Sequence, residues 1–181
     1  MSISQLHRPC HGFWHYACSC ATVAGKNVSN ESIISEAMTL DIVYKEHALT
    51  VDEFLSIESQ IDGMDETTRE QAEKALTNQI CSVAAFDGNE IVGIGRLIGD
   101  AAIWWILSEI WVLPKYQRKG IGRQIVNWLL QYIKENGVKG SYTAVILMCS
   151  KDKEGFYEKL GFNRRPNEWE GAGMEMEIFI E

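Results

Sequence analysis

The stretch Val112-Leu113-Pro114-Lys115-Tyr116-Gln117-Arg118-Lys119-Gly120-Ile121-Gly122-Arg123 holds the residues best suited to chemistry. An apolar, strand-like run leaves at Pro114, passes through a basic turn with two glycines, and opens a helical pattern. A helix start presents N–H groups without acceptors and a partial positive charge. Glycine lets the backbone close around an anion, so such a turn suits a phosphate or pyrophosphate. Arg118, Lys119 and Arg123 add full charges. The same stretch also reads as an ordinary strand-to-helix turn with a solvated basic face. No Gly-Lys-Ser/Thr follows, as nucleotide hydrolases require, and a dinucleotide fingerprint needs a third glycine.

A second group of reactive types sits near the start: His7, Cys10, His11, His15, Cys18 and Cys20. Cysteine and histidine are zinc ligands, but Cys18 and Cys20 are separated by one residue, and zinc sites space their cysteines by two to four. No metal is expected, and residues 1–38, which show no helical or strand period, are read as an N-terminal extension outside the catalytic core.

The totals narrow the field. A chain of 181 residues with 46% hydrophobic residues supports one domain with a proper core. A net charge of −8 repels phosphate backbones, so nucleic acid is not expected as a partner. It would welcome a cationic amine, although many proteins are acidic for solubility alone. Five cysteines, an odd count crowded toward one end, make a poor disulfide framework and fit a reducing compartment. No apolar run reaches the roughly 18 residues needed to span a membrane. The mildly apolar stretch 13–24 lacks a basic leader and carries Trp14, His15 and Tyr16, which suit a signal peptide poorly. A cytoplasmic protein without a membrane partner is the expectation.

From Thr39 the pattern becomes regular. Alternation of Leu40, Ile42 and Tyr44 predicts a strand. Thr50 and Glu53 form a capping-box pair ahead of Phe54, Leu55 and Ile57, and so predict a helix. A second helix is predicted over 66–78. Strands are predicted over 81–86 and 90–98, joined by the hairpin signal Asp87-Gly88, and over 102–113. Gly93 and Gly95 share a strand face and permit close approach of a backbone or ligand. A long helix over 120–136 carries Ile121, Ile125, Val126, Leu129, Leu130 and Ile133 on one face, with Gly137 as terminator. A strand over 142–149, a short helix over 152–160 stopped by Gly161, and a last strand over 174–180 complete the series. The order specifies an α/β (α+β) domain over 39–181, with a mixed, mostly antiparallel sheet of six to seven strands and about four helices.

The turn resembles the coenzyme A signature of the GNAT N-acetyltransferase superfamily: Gln or Arg, two residues, Gly, one residue, Gly or Ala. Here these are Gln117, Gly120 and Gly122, after the frequent Val-x-Pro of Val112 and Pro114. Phe156-Tyr157, followed by Gly161-Phe162, resembles the superfamily's later motif, and the run 91–96 resembles its third strand. The resemblance covers 39–181. The segment 167–174 is similar to a loop in small bacterial members and in arylalkylamine (serotonin-type) relatives.

That resemblance implies acetyl transfer from acetyl-coenzyme A, as cosubstrate, to a primary amine, with a small-molecule acceptor the first expectation. A protein N-terminal or lysine acceptor, and a silent acyl-coenzyme A sensor, are the alternatives. It implies a strand splayed from its neighbour to admit the pantetheine arm. Backbone groups of Ile110, Trp111 and Val112 would pair with the arm. The N–H groups from Gln117 through Arg118, Lys119, Gly120, Ile121 and Gly122 to Arg123 would hold the pyrophosphate. Tyr157 matches the family's general acid. Glu109, where many members carry an acidic residue, is the candidate base; alternation puts it on one face with Trp111 and Leu113. Desolvation by Trp104, Trp105 and Trp111 would suit it to that work. Trp104, Trp105 and Trp169 are candidates to line an apolar amine site, or else belong to the core. Relatives often pair, so a homodimer is compatible.

Overall fold

The computed structural model describes residues 41–61 and 67–174. The extension 1–38, with its cysteines and histidines, and residues 175–180 of the expected last strand lie outside them.

Strand β1 (Ile42–Glu46) leads to helix α1 (Val51–Glu58), and the capping box forms as the sequence specifies. Thr50 Oγ1 accepts from the Glu53 backbone N–H at 3.2 Å, and the Glu53 carboxylate accepts from the Thr50 N–H at 2.8 Å. Helix α2 (Arg69–Thr77) starts later than predicted, behind a second capping box of Thr68 and Gln71. Strands β2 (Cys81–Asp87) and β3 (Glu90–Gly99) follow as a hairpin. Its two-residue loop is Gly88-Asn89, one residue beyond the Asp-Gly signal, with Gly88 at φ +59°. Strand β4 (Trp104–Val112), the 3₁₀ turn Pro114–Tyr116 and helix α3 (Ile121–Asn136) come next, then strand β5 (Ala144–Ile146) and helix α4 (Glu154–Glu158).

The strands order as β1-β2-β3-β4-β5. The first three pairings are antiparallel and β4–β5 is parallel. The α/β class and mixed sheet agree with expectation. The count is five strands among the described residues rather than six to seven.

The apolar face of α3, with Ile125, Val126 and Leu129 fully buried, packs on the sheet. Gly93 and Gly95 make room for it. A Cβ on Gly95 would come within 2.5 Å of Ile125 and 3.1 Å of Leu129, so the close approach permitted there is by this helix. Helix α1 covers the opposite face, where Phe54 packs against Trp111 with ring centroids 5.2 Å apart.

Two departures from regularity matter. β4 carries a bulge: Ile94 faces Trp111 but Arg96 faces Ser108, so Glu109 and Ile110 share one position opposite Gly95. Glu109 takes φ +43°, a left-handed conformation rare for a side chain of this size. Secondly, β5 is much shorter than predicted. It pairs only through Ala144, Val145 and Ile146 with Trp104, Trp105 and Ile106. Bulges bend and twist the strand that carries them, and beyond Ile106 β4 runs on without this neighbour.

Candidate active site at the opening between β4 and β5

The turn that joins β4 to α3 is braced from two sides. Tyr116 is buried, and its hydroxyl donates to Asp87 at 2.7 Å; Lys115 reaches Glu90 at 3.0 Å. The bond to Asp87, with burial, pushes the Tyr116 phenol up to about 12. Gln117 Nε2 donates to the Val112 carbonyl at 3.0 Å, so this side chain staples the turn and leaves its backbone as the part that can meet a ligand.

Arg118 at φ +59° and Gly120 at φ +85° are both left-handed. Such conformations turn successive N–H groups into an anion-binding concavity. A Cβ on Gly120 would meet nothing within 4 Å, so the space above it is open. Arg118, Lys119 and Arg123 are exposed around it. Ile121 is buried, so it offers only its backbone. An open cleft of about 520 Å³, with Tyr44, Lys119, Gly120 and Gln124 in its wall, lies beside the turn.

Next to the turn lies the edge of β4 that no described strand pairs beyond Ile106. The Leu113 N–H donates to Val92 on β3 at 2.9 Å. Successive N–H groups of an extended strand point to opposite edges, so the Val112 N–H points away from β3, toward the side where β5 has stopped pairing. The Val112 carbonyl, bonded to Gln117 rather than to a strand, faces the same way. A Cβ on Gly122 would lie 3.7 Å from both Val112 and Phe156, which brings the start of α3, the end of β4 and helix α4 to one place.

Tyr157 follows Phe156 on α4. Its ring stands edge-on to Phe156 at 4.9 Å and to Phe162 at 5.9 Å. Burial, and after it the neighbouring Cys149, pushes the phenol up to about 12, so its proton is held firmly at neutral pH.

Glu109 lies on the bulge, and its surroundings differ from expectation. Its Oε2 is 3.1 Å from Nη1 of Arg96, which is only 3% exposed. That distance makes an ion pair, yet no N–H is aligned on Oε2, which is itself buried. Arg96 also lies beneath Phe54, 5.5 Å from its ring centroid, and Phe54 contacts Trp111. Glu109 and Trp111 therefore meet the same α1-side group, as alternation foresaw, but the immediate neighbour of the carboxylate is a guanidinium. Arg96 is the residue that sequence reasoning missed. Its only signal was a lone cation in an apolar strand run.

The three candidate pocket tryptophans do not form one wall. Trp105 is fully buried in the core while its neighbour Trp104 is 49% exposed, since adjacent strand residues leave opposite faces. Trp169 is exposed, in a loop where Asn167 accepts from the Trp169 and Glu170 N–H groups. Among the described residues no group of His, Cys, Asp and Glu is placed to hold a metal, and no helix is long and apolar enough to cross a membrane.

A mixed sheet that opens beside a basic, glycine-bearing helix start defines an acyltransferase type of architecture, and comparison with known proteins identifies which. Residues 77–164 match the acetyltransferase (GNAT) domain. A glucosamine 6-phosphate N-acetyltransferase of Schizosaccharomyces pombe is 33% identical over 109 residues, 57% of this chain and 88% of that protein. An uncharacterized ycf52-like N-acetyltransferase of Prochlorococcus marinus is 23% identical over 154 residues, 83% of this chain and 76% of that protein. The solved structure of a GNAT family acetyltransferase from Streptococcus pneumoniae superposes with a TM-score of 0.62 at 27% identity, over 77% of this chain and 98% of that one. The chain belongs to the GNAT family of acetyltransferases. The likeness to arylalkylamine-type members finds no support among these relatives, and the resemblance holds at the level of the family.

Proposed function

We propose that the protein transfers the acetyl group of acetyl-coenzyme A to a primary amine of a small molecule. One observation carries this reading: the sheet opens between β4 and β5 directly beside the glycine-bearing, basic start of α3. The residues present fit the cosubstrate. Open space over Gly120 and the exposed Arg118, Lys119 and Arg123 suit a pyrophosphate. The edge of β4 that turns away from β3 at Val112, which no described strand pairs, suits the amide-bearing arm. When bound, acetyl-coenzyme A supplies an acetyl group activated as a thioester.

The protein's own groups then have distinct tasks. The backbone of residues 117–123 fixes the diphosphate end. The Val112 N–H, directed into the opening, stabilises negative charge on the acetyl oxygen as the amine attacks, a role that fixed dipoles perform without reorganising. An alkylammonium must lose a proton before it can attack. Glu109, whose side chain keeps 23% of its surface exposed, attracts the cation and receives that proton directly or through water. Tyr157, protonated at neutral pH, donates to the departing sulfur.

The small-molecule acceptor is supported by the Schizosaccharomyces relative, which is named for an amino-sugar phosphate. Release of thiol from acetyl-coenzyme A, followed over a panel of small amines and lysine-containing peptides, tests the reading. Turnover with an amine, and none without one, is the expected result. Turnover with peptides alone would move the acceptor to protein, and none with any amine would remove the catalytic reading.

A further inference from the structure

We propose that Arg96 is a positioning residue that holds the Glu109 carboxylate from behind and presents one of its oxygens to the acceptor amine; the inference rests on the role proposed for Glu109. Three observations carry it. Arg96 is almost wholly buried, and two of its donors are committed elsewhere: Nε donates to the Gln79 side chain at 2.8 Å and Nη2 to the Ala75 carbonyl at 2.7 Å. A guanidinium is planar, so these two bonds fix the direction of the third nitrogen. That nitrogen, Nη1, lies 3.1 Å from Glu109 Oε2.

Glu109 is arranged in the complementary way. Oε2 is sealed from solvent, while the side chain as a whole keeps 23% of its surface, so its accessible part includes the other end of the carboxylate. The residue stands at φ +43° on the bulge. Strained backbone persists only where surrounding structure holds it, and the pairing with Arg96 supplies such a hold. Phe54 lies against both Arg96, 5.5 Å from its ring centroid, and Trp111, to whose ring it is tilted by 43°. Positioning therefore runs from helix α2, through Arg96, to a carboxylate beside the opening of the sheet. The amine would meet an oxygen already fixed in direction, which helps chemistry by sparing the entropy of alignment.

The test is a double-mutant cycle on the full chain with Arg96→Met and Glu109→Gln, reading kcat and KM for the amine, acetyl-coenzyme A affinity and thermal unfolding. Arg96→Met is expected to lower kcat/KM for the amine by about 10-fold or more while acetyl-coenzyme A affinity changes by less than about 3-fold. In the Glu109→Gln background the same change should cost less than about 2-fold, because the group it positions is already gone. If Arg96→Met does not fold, Arg96→Lys replaces it in the cycle: it keeps the charge, loses the fork, and should show the same non-additivity. Equal losses in both backgrounds, with Glu109→Gln itself impaired, would overturn the positioning role and leave Glu109 in place. Full activity of Glu109→Gln would overturn both.

Discussion

The two halves of β4 share a strand and do opposite work. From Trp104 to Ile106 the strand is held on both edges, by β3 and by β5, and Trp105 is fully buried. From Ser108 to Val112 β3 alone holds it among the described residues, the backbone bulges, and every residue but Trp111 is at least partly exposed. A strand bonded on both edges has no backbone groups to offer a ligand. A strand freed on one edge offers them in a fixed direction, because its paired edge holds it in register with β3 and the bulge turns it. The first half makes the second rigid enough to be useful.

This contrast is open to test, and the largest effect belongs to the closed half. Trp105→Ala removes a large buried ring and should cost about 3–5 kcal/mol of stability. Acetyl-coenzyme A affinity of the fraction still folded should stay near wild type; loss of affinity in proportion to stability would mean that the halves are not separable. Tyr157→Phe acts at the open half. It should lower kcat by about 100-fold, since general acid catalysis is worth that much or more, with acetyl-coenzyme A affinity little changed. Wild-type turnover would remove Tyr157 as the acid.

The same variant has a signature in stability. The Tyr157 phenol is raised to about 12 by burial and by Cys149, so the folded state binds this proton more tightly than the unfolded chain. Its contribution is complete below the ordinary value of about 10 and is lost as pH rises toward the folded value. Denaturant unfolding should show the wild type losing stability relative to Tyr157→Phe above about pH 10. Parallel curves through that range would contradict the buried placement. The smallest effect is expected from Lys119→Ala, an exposed cation that also lies 5.2 Å from the Tyr116 ring. Acetyl-coenzyme A affinity should fall by less than about 1 kcal/mol and depend less on salt. An unchanged salt dependence would take Lys119 out of the anion site.

Much of this was legible in the sequence because it is local. Thr50 and Glu53 are three apart and form their capping box wherever the chain is placed. The face of α3 follows from a period, and the basic turn from its own glycines. Thr68 and Gln71 carried the same capping signal and would have set the start of α2 correctly. What could not be read is what depends on pairing across the sheet. The bulge at Glu109 arises because Gly95 on β3 meets two residues of β4, and nothing in the run Ser108-Glu109-Ile110 marks it. The neighbour of Glu109 is Arg96, 13 positions away, since the number difference is 109 − 96. Trp104 and Trp105 look alike in sequence, and only the covering of one face by α3 decides which becomes core. The length of β5 is set by how far it stays paired with β4, and that pairing ends at Ile146 opposite Ile106.

If the start of α3 holds acetyl-coenzyme A, a change confined to that turn must weaken its binding. Titration calorimetry of the wild type and of Gly120→Glu with acetyl-coenzyme A, and with ATP as a control for general anion binding, tests it most directly. A Cβ on Gly120 would meet nothing within 4 Å, so the new side chain has room over the turn; the left-handed φ of +85° costs it about 1–2 kcal/mol of local strain, and thermal unfolding of the variant reads that cost separately from binding. The wild type should bind acetyl-coenzyme A in preference to ATP, and Gly120→Glu should weaken that binding by about 100-fold while remaining folded. Equal affinity in the two proteins would contradict the claim and place the cosubstrate elsewhere.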